Sequence, residues 1–259
     1  MSVRGFHLTL GLIGGGYVAL VAAMLLADVL ATSPGHLLDA FRAPEIRAAL
    51  ALSLASSAVT TVLAVATGVP LGYLLARSRF PGRGVIELLV DVPLVLPPLV
   101  VGVSLLLVMR GPFGRAVQEL IPLVYEPAGV ILAQFAVCGA FATRSLRATF
   151  AQLSPRTEQV ARTLGCTPRQ AFRLVTLPEA SRGILAAATL TWARAFGEFG
   201  PVLVFAGVTR SKTEVLPTTI YLELSVGHLE TALAVSLVMV AVAFAVLLTL
   251  RRIAPESPA

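Results

Sequence analysis

Lysine is nearly missing from this 259-residue chain, where Lys212 stands alone against nineteen arginines. A P-loop therefore has one place to be. The stretch Ala206-Gly207-Val208-Thr209-Arg210-Ser211-Lys212-Thr213 fails as one, because Ala206 and Ser211 stand where a phosphate cradle needs glycine. Cysteine is almost as scarce: Cys138 lies in an apolar run and Cys166 in a polar one, on opposite sides of any topology. The two are not expected to pair, and neither has metal-ligand company. His7, His36 and His228 are scattered near segment ends, which argues against a metal centre or a histidine-based catalytic site. There is no HExxH and no GxSxG. A membrane-embedded enzyme would need a convergent acid, base, nucleophile or metal set, and none is written here.

Charge is scarce too. Charged residues make up 13% of the chain, where a soluble domain carries about 25%. With 56% hydrophobic residues and a mean hydropathy of +0.86, the apolar surface exceeds what one globular core can hide. An all-α polytopic membrane protein follows. The net charge of +6 and pI near 10.1 would point to nucleic acid in a soluble chain. Here the arginines follow the loops instead of forming one patch, so the partner is the lipid bilayer and not nucleic acid.

About six transmembrane helices are expected, over 8–30, 48–76, 85–109, an apolar centre at 128–142, 184–208 and 229–250. The first run is longer than a signal-peptide core and lacks a clean cleavage site, so it is expected to be retained. The chain divides into residues 1–47 (a first span and an extracytoplasmic connector), a core at 48–252 containing a polar loop at 143–183, and a short tail at 253–259. Arg4, Arg77, Arg79, Arg83, Arg144, Arg147, Arg156, Arg162, Arg169, Arg173, Arg182, Arg251 and Arg252 fall on one side of this map. Arg42, Arg47, Arg110, Arg115, Arg210 and Lys212 fall on the other. The larger set marks the cytoplasm, which places both termini and the polar loop there.

Several polar residues interrupt the apolar runs. Ser53, Ser56, Ser57, Thr60 and Thr61 either bond back to their own helix and glue its neighbours, or line a hydrophilic path. Pro93, Pro97 and Pro98 break the third span beside Asp91, making either a kinked, cavity-lining helix or a packing feature. Arg194 and Glu198 are four residues apart on one helical face, where each offsets the cost of the other in lipid. They form a structural ion pair or a gate. Glu198 repels anions and is a poor ligand for one.

The polar island Thr157 to Pro178 reads as two short helices about a turn. Glu158 to Leu164 places Val160, Ala161 and Leu164 on one face, and Gly165 supplies the positive φ that ends the helix. Thr167 caps a second helix with Pro168 at its first position, running through Ala171, Phe172 and Val175. Leu177-Pro178 is expected to stop it. Such an apolar stripe among arginines is built to dock.

Glu158 followed by Ala161, Gly165 and Leu177-Pro178 resembles the cytoplasmic coupling loop of bacterial ABC-importer permeases, although Glu158-Gln159-Val160-Ala161 departs from the usual Glu-Ala-Ala opening. The runs Pro70 to Arg77, Asp91 to Pro98, Gly197-Glu198-Phe199-Gly200 and Leu216 to Tyr221 resemble the molybdate/tungstate/sulfate branch of that family. The likeness runs from about Leu50 to about Leu250. It implies a transport subunit without its own cofactor in a bacterial or archaeal plasma membrane, with ATP and Mg on a partner ATPase pair. It further implies a permease homodimer and an extracytoplasmic oxyanion-binding protein delivering molybdate or tungstate, with sulfate or thiosulfate as the alternative. Carried onto this chain, it assigns ATPase coupling to Glu158, Ala161, Leu164, Gly165, Phe172, Leu177 and Pro178. Gate or path roles go to Arg194, Gly197, Glu198, Phe199 and Gly200, with Asp91, Pro97 and Pro98. A rival reading is an ion-coupled transporter using Arg194, Glu198 and Asp91 as a relay, although the halves show no convincing repeat.

Overall fold

The computed structural model describes residues 3–253, and among them every regular element is helical. The tail expected at 253–259 lies outside the described residues apart from Ile253. Helix α1 (Val3–Ala31) is followed by a short α2 (Pro34–Arg42) and a long α3 (Pro44–Arg77). Helices α4 (Arg83–Val95) and α5 (Pro98–Arg110) form a pair bent by 116°, and α6 (Pro112–Leu120) leads to α7 (Pro127–Gln152). The island holds α8 (Pro155–Thr163), α9 (Pro168–Ala171) and a π turn (Phe172–Thr176), which runs into α10 (Leu177–Phe196). Then come α11 (Gly200–Phe205), α12 (Leu216–Val226) and α13 (Leu229–Ile253).

Proline explains much of this punctuation. Seven helices open on proline: α2, α3 and α5 to α9. Three more (α10, α11 and α12) carry it second. The first-turn N–H has no intrahelical acceptor, so the missing donor costs nothing there and the ring presets φ. This corrects one expectation: Leu177-Pro178 does not stop a helix but opens α10. The π turn before it widens the backbone, with Leu177 N donating to Phe172 O five residues back.

Four helices (α1, α3, α7 and α13) are long and apolar enough to cross a membrane singly, and the bent α4–α5 pair meets the same test only when its two helices are taken together. The fifth apolar run of the sequence, expected as one span over 184–208, is instead divided between α10 and α11 at Gly197–Phe199. The stretches between the apolar runs also hold short helices of their own, α2, α6 and α12. The fourth span extends to Gln152, so Arg144 and Arg147 sit on α7 and not in the polar loop.

Helices α3 and α7 form the centre. Small residues let their backbones touch: a Cβ added to Gly72 would lie 2.9 Å from Arg147 N, and one on Gly68 would lie 2.9 Å from the Leu146 side chain. A buried polar bridge ties in α10. Thr60 Oγ1 donates to Gln134 Oε1 at 3.0 Å, and Gln134 Nε2 donates to Ala195 O at 3.1 Å. Ser53, Ser56, Ser57 and Thr61 bond back to carbonyls of α3 itself, and the first three are buried. The hydroxyls therefore serve helix and packing, not a wet wall. By contrast α1 is unburied along its apolar window, Thr9–Ala31.

Candidate functional site

Two regions gather the residues singled out by sequence, and α10 joins them. The first is the island, at the end of the bundle where α3 and α7 finish. Ser154 caps α8 by accepting from Arg156 N, and Gly165 has φ +96°, as its place after the helix requires. Thr167 accepts from Gln170 N while the Gln170 side chain accepts from Thr167 N, a reciprocal capping box that starts α9. The turn is thus locally specified.

The expected apolar stripe is split. Ala161 is buried, whereas Val160 is 56% and Leu164 82% exposed. Phe172 is half-buried against Tyr73, with ring centroids 4.6 Å apart, and Leu177 is half-buried beside an exposed Pro178. Outward, the island presents Val160, Leu164 and Leu174 among the exposed Arg162, Arg169 and Arg173. Gln159, Arg162, Thr163, Cys166 and Pro168 line a shallow depression between its two helices. Glu158 does not join that outward face. Its Oε1 accepts from the Tyr73 hydroxyl at 2.6 Å and its Oε2 from the Thr176 hydroxyl at 3.1 Å.

The second region lies where two broken apolar runs cross. The bend at Leu96-Pro97 and the break at Gly197–Phe199 sit side by side, because Gly200 lies against Pro98: an added Cβ there would meet Pro98 Cβ at 2.7 Å. Gly102 meets Val204 in the same way at 2.8 Å. Pro97 and Pro98 are exposed at this crossing, and Phe199 packs on Tyr221 with centroids 5.3 Å apart. Gly197 caps α10. Irregular backbone in a span is tolerated where protein or a cavity satisfies it. Arg194 Nη1 stands 2.6 Å from Glu198 Oε2, with the arginine side chain 39% exposed and the glutamate 2%. The two form an ion pair at close range.

Asp91 is elsewhere. It faces Arg144 on α7 at 3.6 Å, and one turn earlier Glu87 meets Arg147 at 3.1 Å and Arg83 at 2.7 Å. Asp91 thus has its own basic partner and is not paired into the Arg194–Glu198 site, which removes the geometric support for a three-residue relay. Sequence reasoning did not foresee the contacts that Tyr73, Thr176 and Gln134 make. Tyr73 stands inside the Pro70–Arg77 run, but nothing in the local pattern says what its hydroxyl meets 85 positions later.

At the far end of the bundle, Lys212, the residue of the failed P-loop, pairs with Glu126. Burial works to raise the Glu223 carboxyl, but hydrogen bonds from Arg210 and His228 outweigh it and hold it below the ordinary range. Glu214 is its opposite: buried, with neither oxygen well hydrogen-bonded, its carboxyl is pushed above the ordinary range by desolvation.

Residues 68–256 match the family described as binding-protein-dependent transport system inner membrane component. A probable molybdenum ABC transporter permease of Haloferax volcanii is 39% identical over 241 residues, covering 90% of this chain and 88% of the relative. The sulfate transport system permease CysT of Salmonella typhimurium is 32% identical over 215 residues, covering 82% and 78%. In fold, the chain resembles one from a bacterial alginate ABC transporter solved with an alginate-bound periplasmic protein, with a TM-score of 0.79 over 98% of this chain and 97% of that one at 17% identity.

Proposed function

This chain belongs to the family of binding-protein-dependent transport inner membrane components, and from that premise we propose that it is the transmembrane subunit of an ATP-driven importer for molybdate or tungstate. An extracytoplasmic binding protein delivers the oxyanion, a second copy of the chain completes the path, and a separate ATPase pair, carrying ATP and Mg, grips the island from the cytoplasm. Sulfate is the alternative cargo, and the sulfate permease relative supports it. The single observation that carries the proposal is the island itself. It is a capped helix-turn-helix that leaves Val160, Leu164 and Leu174 uncovered among arginines, at the root of a helix leading into the bundle.

The geometry supports a mechanical coupling. Alpha and π backbone run without a break from α9 through Thr176 into α10, whose 20 residues extend about 30 Å and end at the Arg194–Glu198 break. Movement of docked ATPases would tilt this lever and shift α11 against α5 at the Gly200–Pro98 crossing, a two-state packing rather than a continuous deformation. Selectivity lies mainly with the binding protein, because the crossing offers an acid–base pair and apolar surface instead of a cage of anion donors.

The test is reconstitution of the chain with its ATPase and binding protein in proteoliposomes, following ATP hydrolysis and uptake. Stimulation by binding protein loaded with molybdate or tungstate, and not with sulfate or phosphate, is the expected result. Stimulation by sulfate alone would transfer the cargo to the alternative. Uptake driven by an ion gradient without any ATPase would refute the importer.

A further inference from the structure

We infer that Glu158 is an internal positioning residue, whose carboxylate ties the island to α3 and to the root of α10. The inference rests on the importer reading above for its role, and on geometry for its existence. Both carboxylate oxygens are engaged from within: Oε1 by the Tyr73 hydroxyl at 2.6 Å and Oε2 by the Thr176 hydroxyl at 3.1 Å. Each donor is itself held. Thr176 is buried at the end of the π turn, and the Tyr73 ring lies edge-on to Phe150 (5.6 Å, 84°) and tilted against Phe172 (4.6 Å).

Two flanking contacts point the same way. Arg77, one turn beyond Tyr73, donates to Leu153 O at 2.9 Å, and Thr157 donates to Glu179 on α10 at 3.1 Å. The first turn of α8 is therefore fastened to α3 on one side and α10 on the other. Charge-assisted hydrogen bonds are shorter and stronger than neutral ones, and those held by packed rings have little freedom to relax. A push on α8 then moves α3 as well as α10, and α3 is the helix whose backbone touches α7 at Gly68 and Gly72. The π turn has a part in this. Its extra residue per turn rotates Thr176 relative to a plain α-helix, and Thr176 is the donor that Oε2 uses.

The experiment compares the wild-type chain with Tyr73→Phe, Thr176→Val, Glu158→Gln and Glu158→Ala in nanodiscs. Hydrogen exchange over residues 155–176 is measured first, on the permease alone. Tyr73→Phe should speed exchange by roughly tenfold, the effect of losing one hydrogen bond to a charged group, and Glu158→Ala, which loses both, should speed it further. A Tyr73→Phe/Glu158→Ala double variant should go no further than Glu158→Ala. Glu158→Gln, which keeps an acceptor oxygen for Tyr73, should recover most of the protection. With the ATPase added, Tyr73→Phe and Thr176→Val should retain it in wild-type amount yet lose severalfold of the stimulation by loaded binding protein.

Unchanged exchange in all four variants would overturn the brace. So would loss of ATPase from Glu158→Ala with Tyr73→Phe and Thr176→Val behaving as wild type, since the carboxylate would then work outward. Wild-type permease that holds no ATPase, with exchange shifting as expected, would instead refute the importer reading and with it the transmitting role.

Discussion

Arg194 and Glu198 should respond unequally to neutralisation, and the inequality follows from their burial. Glu198 is 2% exposed and, among the described residues, has only Arg194 as a charged partner in contact, while the arginine keeps 39% of its side chain open. Arg194→Met strands a carboxylate in the packed break, the situation in which removing one partner costs about 3–5 kcal/mol. Glu198→Gln strands a guanidinium that can turn toward water or headgroups, so about 1–2 kcal/mol is expected. The Arg194→Met/Glu198→Gln double variant strands nothing, and an apolar–neutral replacement of a buried pair costs about 1 kcal/mol or less. The singles therefore sum to about 4–7 kcal/mol and the double falls far below, well outside the roughly 0.5 kcal/mol scatter of independent sites. Thermal unfolding of the purified protein reads this out, at about 2–4 °C per kcal/mol. Oxyanion uptake by the same variants separates brace from gate: a brace loses uptake in step with stability and regains both in the double variant. A gate loses uptake in Glu198→Gln while most stability remains. Additive singles, or a larger penalty for Glu198→Gln than for Arg194→Met, would refute the reasoning.

At Gly72, valine should prevent α3 from seating on α7, because even a Cβ meets Arg147 backbone N at 2.9 Å and backbone cannot step aside. A loss of about 2–3 kcal/mol or failure to accumulate in the membrane is expected, and normal expression with unchanged unfolding would contradict it. Gly165→Ala should cost about 1 kcal/mol locally at φ +96° and weaken ATPase capture without affecting insertion, measured by copurification. Glu214 gives a pH signature. Its folded pKa is raised, so its favourable contribution is present below the ordinary glutamate value near about 4.3 and is lost as pH rises through the folded value. Glu214→Gln should therefore stabilise the far-end connector at neutral pH and flatten the pH profile of exchange there; an identical profile in the variant would sink the assignment. Glu223, shifted the other way, serves as the internal control.

What the sequence determined by itself was whatever depends on near neighbours and on composition. Hydropathy placed the four long single helices α1, α3, α7 and α13, Gly165 and Thr167 placed the island's turn, and the i,i+4 spacing of Arg194 and Glu198 placed them on one face, because each rests on a few consecutive residues. Long-range pairing was not legible. That Asp91 belongs to Arg144 and not to Arg194, that Gly200 lies on Pro98, and that Glu158 looks inward to Tyr73 were all decided by how helices cross. The local misreading at Leu177-Pro178 has the same origin. Proline forbids a hydrogen bond, and only the surrounding backbone determines whether that bond was needed; the π turn before it and the helix after it made the missing donor harmless. Composition put this chain in the membrane. Tertiary packing made an outward-facing island, an inward-facing carboxylate and a pair of adjoining breaks from residues that carry no mark of one another in the sequence.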